Sequence, residues 1–569
     1  MSFSPTQRSF WVSLALTLML FLALTACSEP SESTLPSEPS PPTATPEPPT
    51  ATPLPRGGTL NVGLAADVPD LRPWQPRSRG EEQISAMLYS GLMRLDDQLQ
   101  PVPDLAEEWA TTPDGRTLTF TLRSDLQWHD GTPLDAADVL FTLERLRALP
   151  PTSTALLADL RYISGAVAHD GTTVVFTLTS RFAPLLAALS VPILPSHLLA
   201  DQEFDSLNFW DIPVGSGPFR LSEAQPGQAY QFERFEQYHH GAPLLDQVRF
   251  VVSTDAQATM AALGDTSLLL AELPWSSHEP APPNVRVASY PENGYYFLGF
   301  NLRPERPFAD PLLRQALALA IDQPRLVEAA TKGQGIPISS SALPGSWADM
   351  TRTIAPGADL DAARALLDEA GWQLPAGATI REQDGITLTA SLYVRADDER
   401  RLLAARQIAE VGASIGMQIQ VEPGDFDTVI LARYAPPFAF DLLLGSWLNG
   451  AGDPNFGDVA YYDPDDFALF HSSQLNQGPA DSRATRNVVG YNSPEYDAHA
   501  QVARQLYNIS ERRAAISQAQ AQLAADLPYL FLWADRMPVL LNERVVSLDG
   551  PVALDSPRYY WNIERWYLE

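Results

Sequence analysis

Two hydrophobic spacings alternate along the chain. Thr117, Thr119 and Thr121 interleave with Leu118, Phe120 and Leu122, the period of a half-buried strand. The preceding Asp114-Gly115 is a turn dipeptide. His129-Asp130-Gly131 predicts a second turn, and Asp135 is placed to N-cap a helix from Ala136 with Asp138 in its first turn. A similar unit recurs at His169-Asp170-Gly171, followed by a strand from Val174 to Leu178. Leu312, Leu313, Ala316, Leu317 and Ala320 fall at helical spacing and predict a core-facing stripe. Further helices are expected over Asp359 to Ala370, Ala404 to Gly416 and around Gln501 to Asp526. Arg56 to Gly63 and Met417 to Glu422 read as strands. Locally, these patterns establish α/β units.

The N-terminus follows a different pattern. Arg8 is a short basic region, and Phe10 to Leu24 is an apolar run too short for a comfortable membrane span. Leu24-Thr25-Ala26-Cys27 follows at once and resembles a lipobox, whose cysteine is lipidated and becomes the new N-terminus. Cys27 is the only cysteine of the 569 residues, so disulfides within the chain are impossible and folding must rely on a large core. Ser28 to Pro55 contains ten prolines among Ser, Thr and Glu. Such a segment cannot bury enough apolar surface to order itself, and extended it would reach on the order of 80 Å. It reads as a tether, with the body soluble and held at an extracytoplasmic membrane surface. The remaining ~510 residues exceed one ordinary core and imply two or three lobes. A formal net charge of -31 argues against nucleic acid as a partner.

Catalytic patterns are missing. His278-Glu279 is followed by Pro280, which breaks any HExxH helix. No CxxC or GxSxG occurs, and Lys332, the only lysine, sits in no phosphate-loop pattern. Among the eight histidines only His239 and His240 adjoin. Neighbours on a strand or loop point apart, which argues against a joint metal site. His129 in its turn reads as structural. No enzyme, metal or cofactor is expected.

The run from Leu88 to Arg145 closely resembles the signature region of the peptide/dipeptide/nickel family of extracellular solute-binding proteins. There, a "GL…D…PxPxLAExW" segment precedes "DGxTxTFxLRxxxxWHDGxPxxAxDVxFTxxR". Gly57 to Gly63 resembles the family's opening "GGTLxVG", and Val214 to Phe219 its "GTGPY/F" turn. Tyr238, Gly241, Pro243, Leu245, Asp246 and Val248 match a further segment, and the resemblance runs to about Val546.

This resemblance implies an α/β fold of the periplasmic-binding-protein-like clamshell type (type II), with two α/β lobes and an additional domain joined by two crossing strands. The solute would bind in the buried cleft, and closure would present the protein to the permease of an ABC importer whose ATPase is a separate subunit. The expected division is 1–26 signal peptide, 27–56 tether, 57–87, 191–293 and 535–569 domain I, 88–190 an extra domain II, and 294–534 domain III. A monomer is expected.

Gly445 to Pro454 resembles the family's "GWxxDxxDP" cleft loop. Trp447 and Asp453 are kept, and Asn449 lies between them. Trp447 would fit a plain core role equally well. The position that pairs with a peptide's α-amine in peptide-binding members is Gly450 here. A buried ammonium without a partner costs several kcal/mol, so the standard amine anchor is missing and Asp453 is the available substitute. Tyr89, Asn293, Tyr295 and Tyr296 match positions near the ligand cavity or hinge, and Arg395 the place of a carboxylate-pairing arginine. Peptide is the default ligand; an oligosaccharide, opine-like compound or metal chelate is the alternative, as is a surface receptor that senses without transport.

Overall fold

The computed structural model describes residues 55–74, 78–149, 155–202, 208–274, 280–350, 354, 357–448, 461–476 and 485–569, all within the unit Leu54–Glu569. None of their helices is long and apolar enough to cross a membrane.

A twelve-stranded sheet organises the chain around one long strand, Tyr529–Asn542. Residues near its start pair antiparallel with Gly294–Phe300, and those from Arg536 onward with Val285–Pro291. On one side the sheet continues through Leu442–Leu448 and Thr389–Arg395 to Gln418–Gly424. On the other it runs through Leu270–Glu272, Thr59–Leu64, Gln247–Val252 and Ala229–Arg234 to Phe219–Gln225. The two halves bury separate cores. Leu60, Phe232 and Trp566 belong to one, and Leu298, Leu392 and Trp533 to the other. Segments 285–300 and 529–542 are therefore the only strands of this sheet that pass from one core to the other among the described residues. Asp535 pins the crossing: it accepts from Tyr296 Oη (3.0 Å), Trp533 Nε1 (3.2 Å) and Arg400 Nη1 (2.7 Å).

A separate four-stranded antiparallel sheet, Ala106–Thr111, Thr117–Leu122, Thr173–Leu178 and Ile163–Ala168, carries the two hairpin units. Leu118, Phe120 and Leu122 are buried, as their alternation predicts. Asp135 caps the helix Ala136–Ala148 in a reciprocal capping box with Asp138. Leu313, Ala316, Leu317 and Ala320 bury one face of the helix Pro311–Ala320. Two boundaries differ from expectation. The helix Glu399–Ser414 starts earlier than its apolar stripe because Asp398 caps it. The C-terminal helical run is broken into Pro494–Ala503 and Ile509–Asp526, each with its own polar cap, Ser493 and Asn508. Gly215 and Gly217 serve close packing, since a Cβ on either would overlap the Met87–Leu88 backbone.

Candidate functional site

The crossing strands set the floor of a cavity. Tyr295 stands directly opposite Trp447 in the antiparallel pairing of Gly294–Phe300 with Leu442–Leu448, so both side chains project from one face. Trp447 is buried in an aromatic core. It stacks on Phe297 at 6.0 Å and meets Tyr434 edge-on at 5.6 Å, and its Nε1 donates to Tyr529 Oη at 3.3 Å. It also lines the cavity. Tyr295 is 5% exposed, and its hydroxyl meets no hydrogen-bond partner among the described residues. A buried hydroxyl in that state costs about 1–3 kcal/mol until something satisfies it. Asn293, just before the strand, donates from Nδ2 to the Tyr461 carbonyl at 3.1 Å.

The cavity holds about 290 Å³. Its other wall comes from Tyr461 to Ala468, with Asp159 and Tyr162 approaching from the small-sheet region. Four carboxylates line it, Asp159, Asp463, Asp465 and Asp466, and they are not equivalent. Asp463 is locked to Arg512 by two hydrogen bonds of 2.6 and 2.7 Å. Asp465 pairs with Arg504 at 2.9 Å, and that guanidinium lies over the Phe467 ring at 4.0 Å. Among the described residues, Asp159 accepts from the Tyr461 hydroxyl and Asp466 from Ser341 Oγ and Gln520 Nε2, and the Arg504 guanidinium stands near enough to Asp159 to favour its charged form. Burial pushes both carboxyls up to about 7, and the charges of Asp463 and Asp465 add to the rise against those donors. Both carboxyls are thereby held well above the usual carboxylate range.

Several contacts cross this cavity from the small-sheet region to the large sheet's helices. Tyr461 Oη donates to Asp159, Ala183 N to the Arg504 carbonyl (2.6 Å), and Tyr507 Oη to the Gly115 carbonyl (2.9 Å).

Of the residues expected from sequence, Asn293, Tyr295 and Trp447 converge here. Tyr89 does not: it is packed in the core that holds Leu60, Phe232 and Trp566, its hydroxyl donates to the Leu71 carbonyl at 3.0 Å, and it borders a second cavity. Arg395 is also elsewhere, held by Asp397 at 2.8 and 2.6 Å and lying over Phe426. Tyr296 turns to the opposite face and binds Asp535. Asn449, Gly450, Asp453 and Cys27 lie outside the described residues. Sequence reasoning passed over Asp159 and the run Tyr461-Tyr462-Asp463-Pro464-Asp465-Asp466. Its signal is the juxtaposition of two aromatics with three carboxylates, which neither strand nor helix periodicity explains. It also expected His239 and His240 to diverge. They occupy a turn rather than a strand, and both reach Asp104, with Nε2 to Oδ1 distances of 2.8 and 3.0 Å.

Known proteins share this architecture. The chain is 26% identical to the oligopeptide-binding protein AppA of Bacillus subtilis over 99% of both chains. It is 28% identical to the nickel-binding periplasmic protein of Escherichia coli, over 86% of this chain and 92% of that one. Among solved structures, B. subtilis AppA in complex with a nonapeptide matches with a TM-score of 0.63 at 24% identity, over 90% of this chain and 99% of that one. The ABC transporter substrate-binding protein CtaP of Listeria monocytogenes matches with a TM-score of 0.69 at 22% identity, over 90% and 99%. The fold is that of the type II periplasmic binding proteins. The profile of the bacterial extracellular solute-binding proteins, family 5, matches residues 100–468, and with the cleft on crossing strands beside it, the chain belongs to that family.

Proposed function

We propose that this protein captures a peptide in the cavity over the crossing strands and delivers it to the permease of an ABC importer. The observation that carries this reading is the acidic wall. Two carboxyls whose hydrogen-bond donors among the described residues are neutral, Asp159 and Asp466, face the cavity that Tyr295 and Trp447 floor. That chemistry suits the ammonium of a peptide's amino terminus. It supplies the counter-charge that Gly450 does not offer at the family's usual position. Arg486 and Arg504, on the same lining, suit the carboxylate end or backbone carbonyls. The oligopeptide-binding relative, similar over nearly its whole length, supports the ligand class. In this reading 57–87, 191–293 and 535–569 form one jaw, 294–534 the other, and 88–190 the additional domain. Cys27 carries a lipid anchor, the proline-rich stretch after it is the tether, and the protein works as an extracytoplasmic monomer without catalytic activity.

Mass spectrometry of small molecules released from the purified protein is the direct test. Peptides with free amino termini are the expected content. Recovery of only sugars or metal chelates, with no peptide bound from an added pool of tri- to pentapeptides, would overturn the reading.

A further inference from the structure

Far from the solute cavity in the fold, Asp104, His239 and His240 bring three metal-ligating atoms together. Asp104 lies between the strands Pro101–Pro103 and Ala106–Thr111. Its backbone is fixed on both sides, N–H to the Leu92 carbonyl (3.0 Å) and carbonyl to Arg123 Nε (2.7 Å). His239 and His240 sit in the turn after the strand Ala229–Arg234. Tyr238 N donates to the Phe235 carbonyl (3.2 Å) and Gly241 N to the Tyr238 carbonyl (2.8 Å). Gly241 takes the left-handed φ of +98° that the reversal needs. The turn aims both imidazoles one way: each places Nε2 on the same oxygen, Asp104 Oδ1, and the donor atoms all lie within 4.8 Å of one another. The side chains are only 6%, 16% and 4% exposed.

The geometry points to a binding site for a divalent transition-metal ion, with His239, His240 and Asp104 as its three protein ligands. Two imidazoles and one carboxylate are the donor set of open zinc sites and of the facial triads that hold other first-row metals. At metal–ligand bonds of about 2.0–2.2 Å, neighbouring ligand atoms stand roughly 3–3.5 Å apart. The observed 2.8 and 3.0 Å histidine–aspartate contacts lie close to that separation. On metal binding the Nε2 proton of each imidazole moves to Nδ1 if the ring is neutral, or leaves to solvent if it is protonated, so Nε2 turns from a donor to Asp104 Oδ1 into a metal ligand. Asp104 and Tyr238 border the second cavity, of about 110 Å³, which gives access and room for a water as a further ligand. Arg94 and Glu564 face the same cavity, paired at 3.6 Å. With Glu564 ionised, these two and Asp104 leave one net negative charge, which favours a cation. The hydrogen-bonded cluster already ties the loop of residue 104 to the turn of residues 239–240, more than a hundred residues apart; a metal would make that tie pH- and chelator-sensitive.

The test uses the full chain, stripped with a chelator and titrated with Zn²⁺ alone in isothermal calorimetry, with Co²⁺ absorption as a coordination signature. One high-affinity Zn²⁺ per chain and the d–d bands of nitrogen–oxygen-bound Co²⁺ are expected. His239→Gln and His240→Gln keep an amide donor for Asp104, so they preserve the hydrogen-bonded fold while removing a ligand. Each should weaken Zn²⁺ by roughly 100-fold or more with an unchanged circular dichroism spectrum. Tyr295→Phe, in the other cavity, should leave Zn²⁺ binding unaltered. Absence of Zn²⁺ binding to the wild type, or binding that survives in the His239→Gln, His240→Gln double variant, would overturn the proposal.

Discussion

Asp138 and Asp159 are both acidic groups of the small-sheet region, and their surroundings differ in one respect. Asp138 is 3% exposed and accepts from Trp128 Nε1 (3.2 Å), Asp135 N (3.1 Å) and Ser196 N (3.0 Å). Its donors are built in, and they tie the capped helix to the turn before it and the segment after the small sheet. Asp159 reaches the cavity, has the Tyr461 hydroxyl as its donor, and faces two further carboxylates. A fully satisfied buried carboxylate holds the fold; one whose burial and acidic neighbours outweigh its donors is held toward its acid form, and in the proposed function it receives the peptide's ammonium. Hydrogen-bond accounting thus separates scaffold from site where residue type alone does not.

The comparison breaks most visibly at the scaffold end. Asp138→Ala removes three hydrogen bonds and strands the buried Trp128 N–H, so a loss of about 3 kcal/mol is expected in denaturant unfolding. Peptide affinity of the molecules that remain folded should be unchanged. Asp159→Asn should do the reverse. The amide still accepts from Tyr461, so stability at pH 6 should hold, while affinity for peptides with a free amino terminus falls about 10–100-fold, or about 1.4–2.7 kcal/mol by calorimetry. Tyr295→Phe removes the buried hydroxyl that lacks a partner. Its expected effect is neutral to about 1 kcal/mol stabilising without ligand. With ligand, a loss of affinity of about 5-fold follows if that hydroxyl binds the solute.

The smallest effect is a pH dependence. Asp159 and Asp466 keep a proton in the folded state up to about pH 7, whereas the unfolded chain releases it near the usual 3.8. The native state therefore binds more protons between those values, and their contribution to stability declines as pH rises through that window. Asp159→Asn should flatten its share of the decline in unfolding curves taken from pH 5 to 8. An unchanged slope would show that Asp159 ionises normally.

Much of the scaffold was legible in the sequence because local rules govern it. Alternation in Thr117–Leu122, the cap at Asp135 and the stripe from Leu313 to Ala320 each need only neighbouring residues. The site was legible in part. Asn293, Tyr295 and Trp447 converge because strand pairing brings them together, and a family resemblance carries that pairing. Asp159 was not legible, since it meets Tyr461 across 302 positions of chain and no local pattern marks the encounter. Tyr89 and Arg395 misled for the converse reason. Each matches a family position, yet the Leu71 carbonyl and Asp397 respectively occupy their polar groups. The adjacent histidines depart from the expectation that neighbours on a strand or loop point apart: a turn closed at Gly241 brings both onto Asp104.

The central claim, that the acidic wall holds a peptide's ammonium, is tested most directly by one calorimetric comparison. A pool of tri- to pentapeptides and the same pool N-acetylated are titrated into the wild-type protein at pH 7, in two buffers of different ionisation heat. The free-amine pool should bind at least about 10-fold tighter, with proton release revealed by the buffer dependence. Equal binding of the acetylated pool, with no proton released, would contradict the claim.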